Sequence, residues 1–227
     1  MIPILKKIII NTLKIILPYF YAYLILRRTE KTLPENFIAH LKRLPNDSLA
    51  IDLGANVGLI SQIMSKYINQ VHSFEPNIEA YSILRRTTLN NKKIKTYPFA
   101  AGIKNRMSKL YLHKGSDKSK ADLTQASSLL FSKPNIDENI FYEVKEIDIA
   151  EFVKSLNKKI DLIKIDVEGY EVEIINHLLD EVDFSRIGFI YCETHSRNWD
   201  ERKIPLDHLR DRIAKLGLTD KFDLNWH

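Results

Sequence analysis

Five acidic side chains and one histidine fall where apolar runs of this sequence break into turns. Asp52 lies inside the run Leu49–Leu53, two residues before Gly54. Glu75 closes the run Val71–Phe74, and Asp166 closes Ile160–Ile165, with Glu168 two residues on. Glu193 and His195 end a further run that starts at Gly188. Carboxylates placed this way can accept hydrogen bonds from a ribose diol, neutralise a cation or take a proton from a nucleophile. A histidine with an unperturbed pKa near 6.5 suits the last of these tasks at neutral pH. Lys164, two residues before Asp166, points to the same face of its strand and needs a carboxylate partner, either Asp166 or Glu193.

The elements that must hold these groups follow from the pattern around them. Leu49, Ala50, Ile51 and Leu53 suit a strand buried on both faces. Gly54, Asn56 and Gly58 then allow a turn in which φ goes positive or another backbone comes close. From Leu59 the apolar residues recur at helical spacing. Strand, glycine turn and helix open a nucleotide-binding α/β unit whose turn exposes backbone N–H groups to a ligand. The glycines fall as Gly-x-x-x-Gly, which is not the dinucleotide fingerprint. Asp52 would repel a pyrophosphate, whereas Glu75, 21 residues after Gly54, stands where an acid meets a ribose. A ligand with a ribose, no phosphates and a positive charge fits both acids. S-adenosylmethionine is such a ligand. Its expected contacts are Asp52, Gly54, Ala55, Asn56, Gly58, Glu75, Pro76 and Asp166, with the small Ala100 and Ala101 flanking the purine.

The rest of the chain keeps an alternating α/β rhythm. A helix is expected over Ile78–Asn91, a strand over Ile94–Phe99 and an extra strand over Lys109–His113. The 26 residues of Lys114–Asn139 are polar and without period, and a loop of that length is usually functional. It is expected to cover the cofactor or shape the acceptor pocket, with Ser127 and Ser128 as cofactor contacts. Phe141–Ile147 alternates like a strand, and Asp148 reads as the N-cap of a helix through Leu156. Strands are also expected over Ile160–Asp166 and Gly188–Glu193. At this sheet edge His195 or Glu168 is the expected general base, with Asp166 turned to base or cofactor, and with Lys164 and Glu193 holding the acids in place.

At 227 residues, 44% hydrophobic and 28% charged, the chain reads as one globular domain and excludes a disordered one. Its net charge of +5 suggests mild attraction to anionic surfaces and no more. The single cysteine, Cys192, sits in an apolar run, which fits a core position and a reducing, cytoplasmic compartment. No His/Cys cluster has zinc-ligand spacing, and no metal site is expected. Residues 1–28 are rich in Ile, Leu and Tyr but punctuated by lysine and arginine. Their longest uncharged run has 12 residues, too few to span a bilayer. Two fates stay open: helices covering the α/β domain, which we expect, or a peripheral membrane contact. The expected domains are thus an extension over 1–40 and the α/β domain over 41–227.

Taken together, Ile51-Asp52-Leu53-Gly54-Ala55-Asn56-Val57-Gly58, Phe74-Glu75-Pro76-Asn77 and Ile163-Lys164-Ile165-Asp166-Val167-Glu168-Gly169-Tyr170-Glu171 resemble the FkbM-type methyltransferases. These are a branch of the class I S-adenosylmethionine-dependent methyltransferases. The resemblance covers about residues 48–195 with its spacing intact. It implies a Rossmann-like, doubly wound, mostly parallel sheet, S-adenosylmethionine as cofactor, and O-methylation of a hydroxyl on a sugar, glycan or natural product. The family sheet ends in a reversed strand pair, but only Phe222–Trp226 is available here for an edge strand. Asp166-Val167-Glu168-Gly169 replaces the Asn/Asp-Pro-Pro-Tyr-type motif of amino-directed nucleic-acid methyltransferases, so a small-molecule or glycan acceptor is expected and nucleic acid is not. The other function classes are a nucleic-acid-binding or -modifying protein and a scaffold with a remnant cofactor pocket.

Overall fold

Leu49–Leu53 forms β1, with every residue buried, as a strand flanked by other strands and covered on both faces must be. The structure, a computed structural model, describes residues 28–113, 127–130, 136–195 and 199–226. Residues 1–27, and with them the choice between a cover and a membrane contact, lie outside the described residues, as do 114–126 and 131–135 of the polar loop. Among the described residues no helix is long and apolar enough to cross a membrane.

From β1 the chain winds outward through α2 (Leu59–Met64), β2 (Gln70–Phe74), α3 (Ile78–Thr88) and β3 (Ile94–Tyr97), after α1 (Glu35–Leu41) has preceded β1. It then crosses back, so that β7 (Ile160–Ile165) pairs in parallel with the other side of β1. α5 (Glu171–Glu181), β8 (Ile187–Cys192), α6 (Lys203–Lys215) and the two-residue β9 (Phe222–Asp223) complete the unit. The strand order is β3-β2-β1-β7-β8-β9, and all five pairings are parallel. The fold is therefore the Rossmann-like class I arrangement. Among the described residues the large sheet has no reversed strand: its edge strand, β9, runs parallel to β8. The direction of winding reverses between β1 and β7, and the crevice outside their carboxyl ends is where open α/β sheets bind ligands.

A second sheet lies in the crossover. β4 (Ala100–Gly102) pairs in parallel with β6 (Ile136–Asp148), which pairs antiparallel with β5 (Arg106–His113) across a register shift at Tyr111/Leu112. The expected third strand, Ile94–Phe99, ends as β3 at Tyr97; Ala100–Gly102, beyond it, forms the separate strand β4, and the expected Phe141–Ile147 strand begins earlier. Four residues assigned to the polar loop, Ile136–Asn139, belong to β6. Asp148 caps α4 (Ile149–Ser155) as its spacing predicts, accepting from the Glu151 N–H at 3.0 Å.

Two apolar layers sandwich the large sheet. On one face α4, α5 and α6 cover Ile51, Leu53, Ile163, Ile165, Ile190 and Cys192. On the other, Phe37 and Leu41 of α1 and Ile63 and Met64 of α2 cover Ala50, Val71, Leu162 and Tyr191. Phe37 meets Tyr191 edge-on at 4.9 Å. The Cys192 thiol is fully buried and pushed up by that burial, which makes it an inert part of the core.

Candidate cofactor cleft and acidic edge

Gly54 is where the site begins, because only glycine fits there. Its φ is +75°, and a Cβ would stand 1.7 Å from the Asp166 carbonyl oxygen. The ends of β1 and β7 can therefore touch. Four of the N–H groups expected to meet a ligand are bonded within the protein instead. Gly54 and Ala55 both donate to the Phe74 carbonyl, Gly58 donates to the Ala55 carbonyl, and Asn56 donates to the Glu75 carboxylate at 2.8 Å. Gly58 works on the other side, with φ +86° against Leu84 of α3.

Beneath the turn runs a buried polar chain. Ser73 of β2 donates to Ser61 of α2 at 2.8 Å, and Ser61 donates to Asp52 Oδ2 at 2.5 Å. Lys164, 2% exposed, stands 3.4 Å from Asp52 Oδ1 and 3.2 Å from Asp166 Oδ2. It also donates to the Gly54 carbonyl at 2.9 Å. Burial opposes its charge, but Asp166 and Asp52 outweigh that and hold the ammonium above its usual pKa. The partners of Lys164 are thus Asp166 and Asp52, not Glu193. Neither Lys164 nor Asp52 lines the cleft, so their part is to fix the ends of β1 and β7.

The cleft above has a volume of about 550 Å³, open solvent included. It brings together eight of the expected cofactor residues: Gly54, Asn56, Glu75, Pro76, Ala100, Ala101, Ser127 and Asp166. Glu168 lines it as well, and so do Leu110, Leu129 and Val167, which sequence reasoning missed. The alternation of Leu110 with Leu112 along β5 was the available signal. Asp52, Ala55, Gly58 and Ser128 stand outside. Ser128 is fully buried, bridged to Tyr111, and its hydroxyl accepts from the Leu130 N–H. Ser127 Oγ, in contrast, is buried without a hydrogen-bond partner beside the cleft.

Glu75 is held by two backbone donors, Asn77 N–H on one oxygen and Asn56 N–H on the other. Burial raises its pKa most; those two hydrogen bonds and Lys164 pull it back, Asp166 pushes it up, and the balance is about 7. Every ionisable side chain among the described lining residues is acidic: Glu75, Asp166 and Glu168.

His195 lies behind this lining, in a smaller adjoining cavity with Gly169, Glu171, Val172, Thr194, Arg202 and Leu206. Its Nδ1 is 2.9 Å from Glu171 Oε1, and its Nε2 is 3.2 Å from Glu168 Oε2 and 3.8 Å from Asp166 Oδ1. Burial disfavours the charged ring, but the hydrogen bond to Glu171 and the charges of Glu171, Glu168 and Asp166 prevail and raise its pKa to about 9. The neutral imidazole base expected from the sequence is therefore a cation at pH 7. Asp166, Glu168 and His195 each offer an atom within 4.8 Å of the others. With a proton between them they form an ion-pair cluster. Glu193 lines neither cavity, and its carboxyl is raised by burial first and then by Asp166. Glu171, 2% exposed, was also missed. An acid in the first turn of a helix that follows a glycine turn was its signal.

The methyltransferase FkbM domain matches residues 52–218 of this chain. That is well over half of it, and the chain belongs to the FkbM methyltransferase family. No curated protein sequence matches it. Among solved structures it is similar to methyltransferase FkbM from Methylobacillus flagellatus, at 12% identity and a TM-score of 0.44 over 73% of this chain. It spans 38% of that protein's length. It is also similar to a precorrin-6y C5,15-methyltransferase from Geobacter metallireducens, at 13% identity, a TM-score of 0.43, and coverage of 77% of this chain and 68% of that one. A precorrin 8w decarboxylase from Methanobacterium thermoautotrophicum is similar at 13% identity and a TM-score of 0.44, with coverage of 80% and 75%.

Proposed function

We propose that this member of the FkbM methyltransferase family is an S-adenosylmethionine-dependent O-methyltransferase acting on a hydroxyl of a sugar, glycan or natural product. The observation that carries this reading is the acid-only lining of the cleft around Glu75. A carboxylate held by two backbone N–H groups at the end of β2 is aimed to accept from a ribose diol. Asp166 and Glu168 beside it suit a sulfonium and an ammonium and disfavour a pyrophosphate. Ala100 and Ala101 leave a flat wall for a purine, and the unpartnered Ser127 hydroxyl gives it a polar neighbour.

When bound, the cofactor supplies a methyl group on a positive sulfur, and its transfer is an in-line displacement that neutralises charge. The protein's tasks are then to align an acceptor oxygen, exclude water and remove its proton. Glu168 reaches the cleft just beyond Asp166 and is assigned the proton. An acidic edge also favours an uncharged hydroxyl over a phosphorylated acceptor or nucleic acid.

Calorimetry with S-adenosylhomocysteine tests the cofactor assignment. Micromolar binding is expected, with none of NAD. Glu75→Ala loses charge-assisted hydrogen bonds and should weaken binding by about 1.5–3 kcal/mol. The ribose needs the ionised carboxylate, and in the free protein Glu75 is half protonated near pH 7. Affinity should therefore rise about tenfold between pH 6 and pH 8, with proton release on binding below pH 7. Equal affinity of wild type and Glu75→Ala would remove Glu75 from the site.

A further inference from the structure

We propose that Glu171 and His195 form a fixed ionic clamp behind the cleft, in which His195 is a positioning cation that holds the Glu168 carboxylate toward the acceptor. The use of Glu168 as base rests on the function proposed above; the clamp does not.

The clamp is built around one buried oxygen. Glu171 Oε1 gathers the Val167 N–H at 3.3 Å, the Gly169 N–H at 2.9 Å and His195 Nδ1 at 2.9 Å. Two of these donors flank Glu168, which adopts φ +60°, a conformation that is costly for a side chain of this kind. Gly169 follows at φ +119°, where a Cβ would meet the Trp199 ring at 2.6 Å. The turn is thus pinned by Glu171 from below and by Trp199 from the side. Strain at a residue that lines the cleft persists only when its surroundings over-determine it.

The same oxygen fixes the ring of His195. Nδ1 must donate to Glu171, since a carboxylate offers no proton in return. Nε2 then faces Glu168 and Asp166. An unprotonated Nε2 would aim its lone pair at two carboxylates. A proton there turns both contacts into attractions. Among the described residues, the two other cations close by are held by acids of their own or by the strand ends. Arg202, on the wall of the small cavity, is bound at both ends to Glu173, and Lys164 is spent on Asp52, Asp166 and Gly54. Glu193 adds a further negative charge beside His195. One imidazolium thus serves several acids. As a general base it would have to give up a proton it already shares. Glu168, paired with a cation on its inner side, is left as the carboxylate that can accept one.

The test is nuclear magnetic resonance of the full chain labelled with ¹⁵N-histidine, titrated from pH 5.5 to 10. The His195 signals are assigned by their loss in His195→Gln. We expect both ring nitrogens to stay protonated past pH 8, with a midpoint well above the ordinary 6.5. Glu168→Gln should lower that midpoint by at least about one pH unit, and Glu171→Gln should do the same. A purely structural histidine would titrate alike in wild type and Glu168→Gln. Should Glu171→Gln fail to fold, Glu168→Gln alone decides, because its side chain is partly exposed at the cleft. A wild-type midpoint at or below 7 overturns the proposal. So does an unchanged midpoint in Glu168→Gln, or loss of the Nε2 proton at pH 7.5 on adding magnesium, manganese or zinc chloride. The titration needs neither cofactor nor acceptor, so the clamp can fail while S-adenosylhomocysteine binding stands, and the reverse.

Discussion

Replacing Lys164 by alanine should destabilise the fold by about 3–5 kcal/mol, the range found when one partner of a buried ion pair is removed. The side chain is 2% exposed and Asp52 is 0% exposed. Asp52 Oδ1 has no hydrogen bond, only the ammonium 3.4 Å away. Without Lys164 that charge would be buried and uncompensated, and the Gly54 carbonyl would lose its donor. A lysine-shaped cavity beside the Trp226 ring would add to the cost. The double variant Lys164→Met with Asp52→Asn should recover much of the loss, because it removes both charges from the core and keeps the volume. Urea unfolding of the three proteins measures this. A cost under about 1 kcal/mol for Lys164→Ala would mean that the ends of β1 and β7 are held by other means.

The second large effect concerns chemistry. Glu168→Gln keeps the size of the side chain and removes its ability to take a proton. Single-turnover methyl transfer should fall by at least about 10²-fold at saturating cofactor, the ordinary worth of a positioned general base. Cofactor affinity should fall far less than the rate, since Glu75, Ala100 and Ala101 keep their assigned contacts and Asp166 keeps a negative charge beside the sulfonium. A variant with near-normal rate would leave catalysis to alignment and exclusion of water alone. A fall in affinity as large as the fall in rate would move Glu168 to the cofactor side.

Much of this arrangement was legible before the fold was known, for a physical reason. Strands buried on both faces must be apolar runs, so Asp52, Lys164 and the glycines stand out against them. The register of parallel strands then carries the residues that follow each run to one edge. Glu75, Asp166 and Glu193 continue the ladder, with backbone N–H groups bonded to Tyr97, Leu53 and Ile165. What sequence spacing could not give was direction. Asp52 near the end of β1 and Ala55 in the turn after it are buried outside the cleft, and so is Ser128, whose neighbour lines it. Nor could it show that the Gly54, Ala55, Asn56 and Gly58 N–H groups are spent on Phe74, Ala55 and Glu75. The reading of His195 failed because a pKa depends on neighbours from other elements. Glu171 comes from α5, Glu168 from the turn before it and His195 from the end of β8. Only the folded chain places three carboxylates around one ring.

The proposed function rests on one activity. Incubation of the protein with methyl-labelled S-adenosylmethionine and an extract of polar metabolites and glycans tests it most directly, followed by identification of the labelled product. Label is expected on an oxygen of an uncharged hydroxyl-bearing acceptor, and its loss in Glu168→Gln. Label confined to added RNA or DNA, or no protein-dependent label together with no binding of S-adenosylhomocysteine, would contradict it.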